Sequence, residues 1–258
     1  MLTFDQIKEY FSPGLARINP KGMVVEYLQY ELLDSLYKQA GSEKMSFIGG
    51  TAIRIIYNSQ RFSEDLDFDK FGMDYNAFKD LLGKACREME LKGFELEYRF
   101  LKKGEVFHVY IKFPALLAIY GLKAHHLEKI FIAVDAEKKK EISAPEIKTL
   151  NRFGIFRSIK VNTPAVILSQ KLMAILFRKR ERGRDFYDVS FLSGLTRPDY
   201  SYIRAATGLP ESQFKESFIK RCSGFDYKGL AREVLPFLFD AEQKDRVLNF
   251  AANISQML

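Results

Sequence analysis

Residues 48–68 read IGGTAIRIIYNSQRFSEDLDF, with Ile48-Gly49-Gly50-Thr51 at one end and Asp65-Leu66-Asp67-Phe68 at the other. The glycine pair closes a short apolar run, MSFI at 45–48, which has the character of a strand. TAIRIIYN at 51–58 carries apolar residues at helical spacing, and EDLDFDKF at 64–71 begins by alternating carboxylate with apolar. Strand, turn, helix and strand follow in immediate succession. Bare glycines at the turn let backbone N–H groups approach a phosphate, and Thr51 can cap the helix and donate a hydroxyl. The same turn also serves chains that bind nothing. Asp65 and Asp67 lie two apart on the expected strand and share one side, while Leu66 and Phe68 face a core. Two carboxylates so close repel each other unless a cation lies between them. Their hard oxygens suit Mg²⁺, which takes one or two protein carboxylates and completes its shell with substrate phosphates and water. The plain alternative is an edge strand with a solvated acidic face.

On the N-terminal side, residues 1–40 read as helices: LTFDQIKEYF ends at Ser12-Pro13, and MVVEYLQYELLDSLYKQ runs to a stop at Gly41. On the C-terminal side, YNAFKDLLGKACREMEL at 75–91 is an expected helix ended by Lys92-Gly93. Then come FELEYRFL at 94–101 and EVFHVYIKF at 105–113, a hairpin around Lys103-Gly104, and KIFIAVDAE at 129–137. After Lys138 strand signals nearly stop, with one short pairing possible in FRSIKV at 156–161. Pro164 fits the first turn of a helix over AVILSQKLMAILFRKRER, 165–182, and helical stretches continue to Leu258 with breaks near Gly208-Leu209-Pro210 and Gly224. The expected organisation is α+β: N-terminal helices at 1–40, a core of a small mixed sheet with flanking helices at 41–150, and a helical C-terminal domain at 151–258.

With 258 residues, 47% of them hydrophobic and 28% charged, the chain can fill a core, which excludes disorder and collagen. No run approaches a membrane span, and MLTFDQIKEY has acids where a signal peptide would be basic, so a cytoplasmic protein is expected. Cys86 and Cys222 form no CxxC pair and read as partly buried thiols; the adjacent His125 and His126 cannot share a helix face as metal ligands and read as loop or surface residues. The net charge of +7 is unevenly spread: Lys138 to Arg184 holds 13 basic residues against Glu141, Glu146 and Glu181, and the rest of the chain is net acidic. Such asymmetry suits a polyanion such as RNA, although charge alone fits a solvated face equally well.

Together, Ile48-Gly49-Gly50 and Asp65-Leu66-Asp67-Phe68, with 14 residues between Gly50 and Asp65, resemble the DNA polymerase β-like nucleotidyltransferase superfamily. More narrowly, GGTAIR followed by RFSEDLDF resembles the AbiEii/AbiGii toxins of type IV toxin-antitoxin and abortive-infection systems. The resemblance covers about residues 45–195. It implies a polymerase β-like core, Mg²⁺ on Asp65 and Asp67, and an NTP held by Gly49, Gly50, Thr51, Arg61, Ser63 and Lys171. It also implies a third carboxylate, for which Asp135 is the candidate; the alternative is a strand-end acid. The family's later motifs match SQKLMAILFRKRERGRDFYDV, with Lys171 as the helix lysine, Arg184-Asp185 as the pair and Asp188 one turn on. Lys171, Arg178 and Arg182 fall near one line of the expected helix. Asp185 is the first choice for the late acid and Asp188 the second. The implied activity is transfer of NMP from an NTP to an acceptor hydroxyl, with an RNA 3′ end, tRNA above all, as acceptor. Arg178, Lys179, Arg180 and Arg182 are the candidate RNA contacts, and an antitoxin encoded next to the gene is the candidate partner. Rival readings are a protein or small-molecule nucleotidylating enzyme of the same fold and a non-catalytic nucleotide- or RNA-binding protein.

Overall fold

The computed structural model describes residues 1–122, 129–138 and 144–258, and the chain divides into two compact units. The first is built from Met1–Ala52, Phe62–Lys138 and Ile147–Val161, the second mainly from Ile53–Arg61 and Asn162–Leu258. His125 and His126 lie outside the described residues.

One mixed sheet of seven strands organises the first unit: β1 Met45–Ile48, β2 Leu66–Lys70, β3 Glu97–Lys103, β4 Val106–Phe113, β5 Ile130–Glu137, β6 Glu146–Arg152 and β7 Ile155–Val161, in the order β3-β4-β5-β2-β1-β7-β6. β2 runs antiparallel to β1 and parallel to β5, β1 and β7 are parallel, and β3, β4 and β5 are successively antiparallel. Every residue of β1 is buried, as suits an inner strand covered on both faces. In β5 the buried residues Ile130, Ile132, Val134 and Ala136 alternate with more accessible ones, the period-two pattern of a strand lying on a core. The β3–β4 hairpin turns where expected, with Gly104 at a φ of +57°.

Six helices belong to this part of the chain: α1 Phe4–Lys8, α2 Leu15–Ile18, α3 Pro20–Tyr37, α4 Gly49–Tyr57, α5 Tyr75–Leu91 and α6 Leu116–Ile119. α3 starts earlier than its apolar spacing indicates, because Asn19 caps it and Pro20 opens its first turn. It is buried on nearly every side, so it takes even Asp34 inside. That carboxylate lies 2.9 Å from Lys92 Nζ and 2.9 Å from Arg157 Nε. Burial opposes its ionisation, but Lys92, Arg157 and Lys38 outweigh burial and hold the carboxyl below its ordinary value.

The helices of the second unit are α7 Pro164–Phe177, α8 Gly183–Leu192, α9 Tyr200–Thr207, α10 Glu211–Cys222, α11 Tyr227–Val234, α12 Asp245–Leu248 and α13 Phe250–Met257. Phe186 of α8 stands edge-on to Phe225 and Phe250, at 5.2 and 5.0 Å between ring centroids, and anchors their core. Cys86 and Cys222 are both buried, and burial pushes each thiol up to about 12, so neither supplies a ready thiolate. Among the described residues no helix is long and apolar enough to cross a membrane.

Two expectations are corrected. Past Lys138 the pairing expected in FRSIKV is present as β7, but a further strand, β6, precedes it, joined at Phe153-Gly154, where both residues have positive φ. β6 escaped detection because it is an edge strand with Leu150 as its one buried residue. The helix expected over 165–182 stops at Phe177: Arg178 is extended, with ψ 139°, and a new helix begins at Gly183. Lys171, Arg178 and Arg182 therefore do not share a helix face.

Candidate functional site

The glycine turn and the aspartate strand meet inside the first unit. Ile48 at the end of β1 registers with Asp67 on β2, so Gly49, the next residue, lies against the Asp67 side chain. A Cβ on Gly49 would fall 2.2 Å from Asp67 Oδ2, and Gly49 also has a φ of +78°. Two independent constraints thus require glycine there. α4 begins at Gly49 itself, so the amides of Gly49, Gly50 and Thr51 form its first turn, where backbone N–H groups lack helical partners and favour an anion. Thr51 is fully buried and its hydroxyl donates to the Asp65 carbonyl, fastening the helix to the segment before β2.

Asp67 pairs in register with Asp135 across the parallel β2–β5 ladder, and Asp135 pairs with His108 across β5–β4. Facing residues in register project to the same side of a sheet, so Asp67, Asp135 and His108 form one row, with Asp65 two residues before Asp67. Asp65 precedes the strand and is exposed, and its Oδ1 accepts from the Ala133 amide at 3.3 Å. His108 Nδ1 lies 2.7 Å from Asp135 Oδ1, while His108 Nε2 is buried and has no hydrogen-bond partner among the described residues. The ring therefore anchors Asp135 from one side. Sequence reasoning passed over His108: its place in a strand was legible, but the β4–β5 register that brings it to Asp135 was not.

Among the described residues no group of three or more His, Cys, Asp or Glu side chains is assembled around one metal position. Asp65 and Asp67 are the residues that could hold a divalent ion, since Mg²⁺ commonly takes one or two protein carboxylates and its remaining ligands from phosphate and water. Asp65 and Asp67 supply hard oxygens, and the missing Cβ of Gly49 leaves the space that the Asp67 carboxylate occupies beside the anion-favouring turn.

Arg61, Lys171, Arg178, Asp185 and Asp188 form an ion cluster within the second unit. Lys171 Nζ lies 2.8 Å from Asp185 Oδ1 and 2.8 Å from Asp188 Oδ2, Arg178 pairs with Asp185, and Arg61 grips Asp188 through Nε at 2.7 Å and Nη2 at 2.6 Å. Burial disfavours charge at Arg61, Lys171 and Asp188, yet their mutual attraction wins, raising the two cations and lowering the carboxyl. Gly183 permits the break before α8, since a Cβ there would strike the Leu230 carbonyl at 2.1 Å. Arg61 is 1% exposed and its guanidinium is engaged by Asp188. Ser63 accepts from Gln29 Nε2 through its carbonyl at 2.9 Å. Arg178, Lys179, Arg180 and Arg182 are all exposed.

The sequence profile of the family described as nucleotidyl transferase AbiEii toxin, type IV toxin-antitoxin system, matches residues 31–256, and the chain belongs to that family. Its fold is similar to that of JHP933 from Helicobacter pylori, with TM-score 0.54 and 16% identity over 92% of this chain and 91% of that one. It is also similar to an H. pylori protein described as a candidate nucleotidyltransferase, with TM-score 0.58 and 16% identity over 92% and 94%. No curated protein sequence matches the chain.

Proposed function

We propose that this protein is a Mg²⁺-dependent, toxin-like nucleotidyltransferase that moves NMP from an NTP to the 3′ hydroxyl of an RNA, with tRNA as the favoured acceptor. It works in the cytoplasm beside a cognate antitoxin, and its polymerase β-like core is followed by a helical C-terminal domain. The observation that carries this reading is the row of Asp67 and Asp135 in register beside Gly49, whose missing side chain makes room for a carboxylate next to a helix start.

Gly49, Gly50 and Thr51 bind the terminal phosphates through their amides. Asp65 and Asp67 hold Mg²⁺, which supplies charge neutralisation and alignment of the triphosphate when bound. Asp135 takes the proton of the acceptor hydroxyl, and His108 keeps that carboxylate turned toward it. The acceptor oxygen forms its bond to the α-phosphorus as the bond to the β-phosphate oxygen breaks, and pyrophosphate leaves. Lys171 is assigned to neutralising charge on the phosphates, and Asp185 to holding its ammonium.

Incubating the purified protein with total RNA, Mg²⁺ and each labelled NTP in turn tests this. Label in RNA is expected. Label in protein alone favours a nucleotidylating enzyme of the same fold, and nucleotide binding without any transfer favours a non-catalytic binder.

A further inference from the structure

Side chains alternate along β2, so Lys70 projects from the opposite face of the sheet to Asp67. It is 4% exposed and lines a cavity of about 360 Å³ with Lys102, Lys138, Glu105, Tyr75 and Phe107. The Lys70 ammonium stands 3.9 Å from the Phe107 ring centroid and the Lys102 ammonium 5.7 Å from the same ring. Among the described residues Lys70 has no carboxylate or carbonyl partner. A cation–π contact satisfies charge on one side only, and an ammonium has three donors to satisfy. The stem of Lys70 is buried and its ammonium opens into the cavity, which is where its donors are to be met. Lys138 brings a third cation, while the acids at the cavity are Glu105 and Asp74, the latter already capping α5 by accepting the Ala77 amide at 2.8 Å. Burial holds the Lys70 amine below its ordinary value; Glu105 acts against this, and Lys138 and Lys102 act with it. Three lysines against two acids leave the lining of the cavity net positive.

We propose that this cavity is a second, separate anion site that takes the phosphate group of a small ligand of mononucleotide size. A phosphate offers oxygens to Lys70, Lys102 and Lys138 together, and the N-terminus of the 17-residue α5 adds its dipole beside Tyr75. Tyr75 and Phe107, edge-on at 5.3 Å, give an apolar wall for the rest of the ligand. The volume falls in the range of small-molecule pockets. The site is on the other face of the sheet from Asp67 and does not depend on the transfer reaction.

Calorimetric titration of the full chain with inorganic phosphate and with AMP, in EDTA to remove divalent ions, tests it. Binding is expected to persist in Asp67→Asn and to weaken by about tenfold or more in Lys70→Met and in Lys102→Glu, the loss of a charge-assisted hydrogen bond. AMP binding tighter than phosphate identifies a mononucleotide, and equal binding identifies the phosphate group alone. Competitive acetylation of lysines followed by mass spectrometry should show Lys70 shielded by the same probes, a readout on the unmutated chain that does not require Lys70→Met to fold. No binding of either probe, undiminished binding in both lysine variants, loss of binding in Asp67→Asn, or absence of shielding at Lys70 would each overturn the assignment.

Discussion

At the level of single residues, Asp67 and Gly49 are coupled because the carboxylate of one occupies the volume a side chain on the other would need. Asp67→Asn keeps the shape and removes the charge, so the fold should persist while NMP transfer falls by on the order of a hundredfold or more. Its melting temperature should hold or rise slightly, because a like-charge neighbour of Asp65 and Asp135 is gone. Gly49→Ala should abolish transfer by a different route, through the clash and the positive φ, and should also lower the melting temperature. Measuring both variants by labelled-NTP transfer and thermal melting separates charge from shape; near-normal turnover in Asp67→Asn would remove the site from consideration. His108 acts one step away. His108→Ala leaves Asp135 unanchored and should lower transfer while leaving nucleotide affinity in place, whereas a merely structural histidine would move only the melting temperature.

Between elements, the ion cluster of Arg61, Asp188, Lys171, Asp185 and Arg178 ties the turn after α4 to α7 and α8 within the second unit. Asp188 is fully buried between Arg61 and Lys171, so Asp188→Asn leaves two buried cations with one carboxylate fewer and should cost about 3–5 kcal/mol of stability, read from denaturant unfolding. The folded pKa of Asp188 is depressed below that of an unfolded aspartate, about 3.9. Its contribution is therefore complete above that value and fades as pH falls below it toward the folded pKa. The acid limb of the stability profile should flatten in the variant; an unchanged limb would show that the cluster carries no linkage. The legibility of the sequence divides along the same lines. The β1–α4–β2 unit could be read because glycine punctuation, apolar spacing and a carboxylate alternation all fall within one short stretch. The β4–β5 register, the edge strand β6 and the break at Arg178 could not: each depends on tertiary partners, respectively Asp135, β7 and Asp185, that local pattern does not contain. Arg61 shows the limit most clearly, since its pairing with the distant Asp188 is contained in no local pattern.

For the molecule as a whole, the excess of basic residues between Lys138 and Arg184 overstates the charge on offer to a polyanion. Arg157 is spent on Asp34, Arg152 lies 3.7 Å from Glu26 with its guanidinium over Phe11, and Lys160 donates to the Glu43 carbonyl at 2.5 Å. Lys179, Arg180 and Arg182 are exposed and have no ion-pair partner among the described residues. A chain meeting RNA through all its nominal excess would show a steep salt dependence, whereas three phosphate contacts to a single strand give a slope of log Kobs against log salt of about −2. We expect the shallow value. Lys179→Glu with Arg180→Glu should weaken RNA binding and bring the slope to about −0.7, the one contact of Arg182, while leaving NTP affinity unchanged; Arg178 is left intact because reversing it would also break its pair with Asp185. Electrophoretic mobility shifts with tRNA across a salt series decide the matter, and a slope that stays near −2 in the double variant would move the RNA contact to another part of the chain.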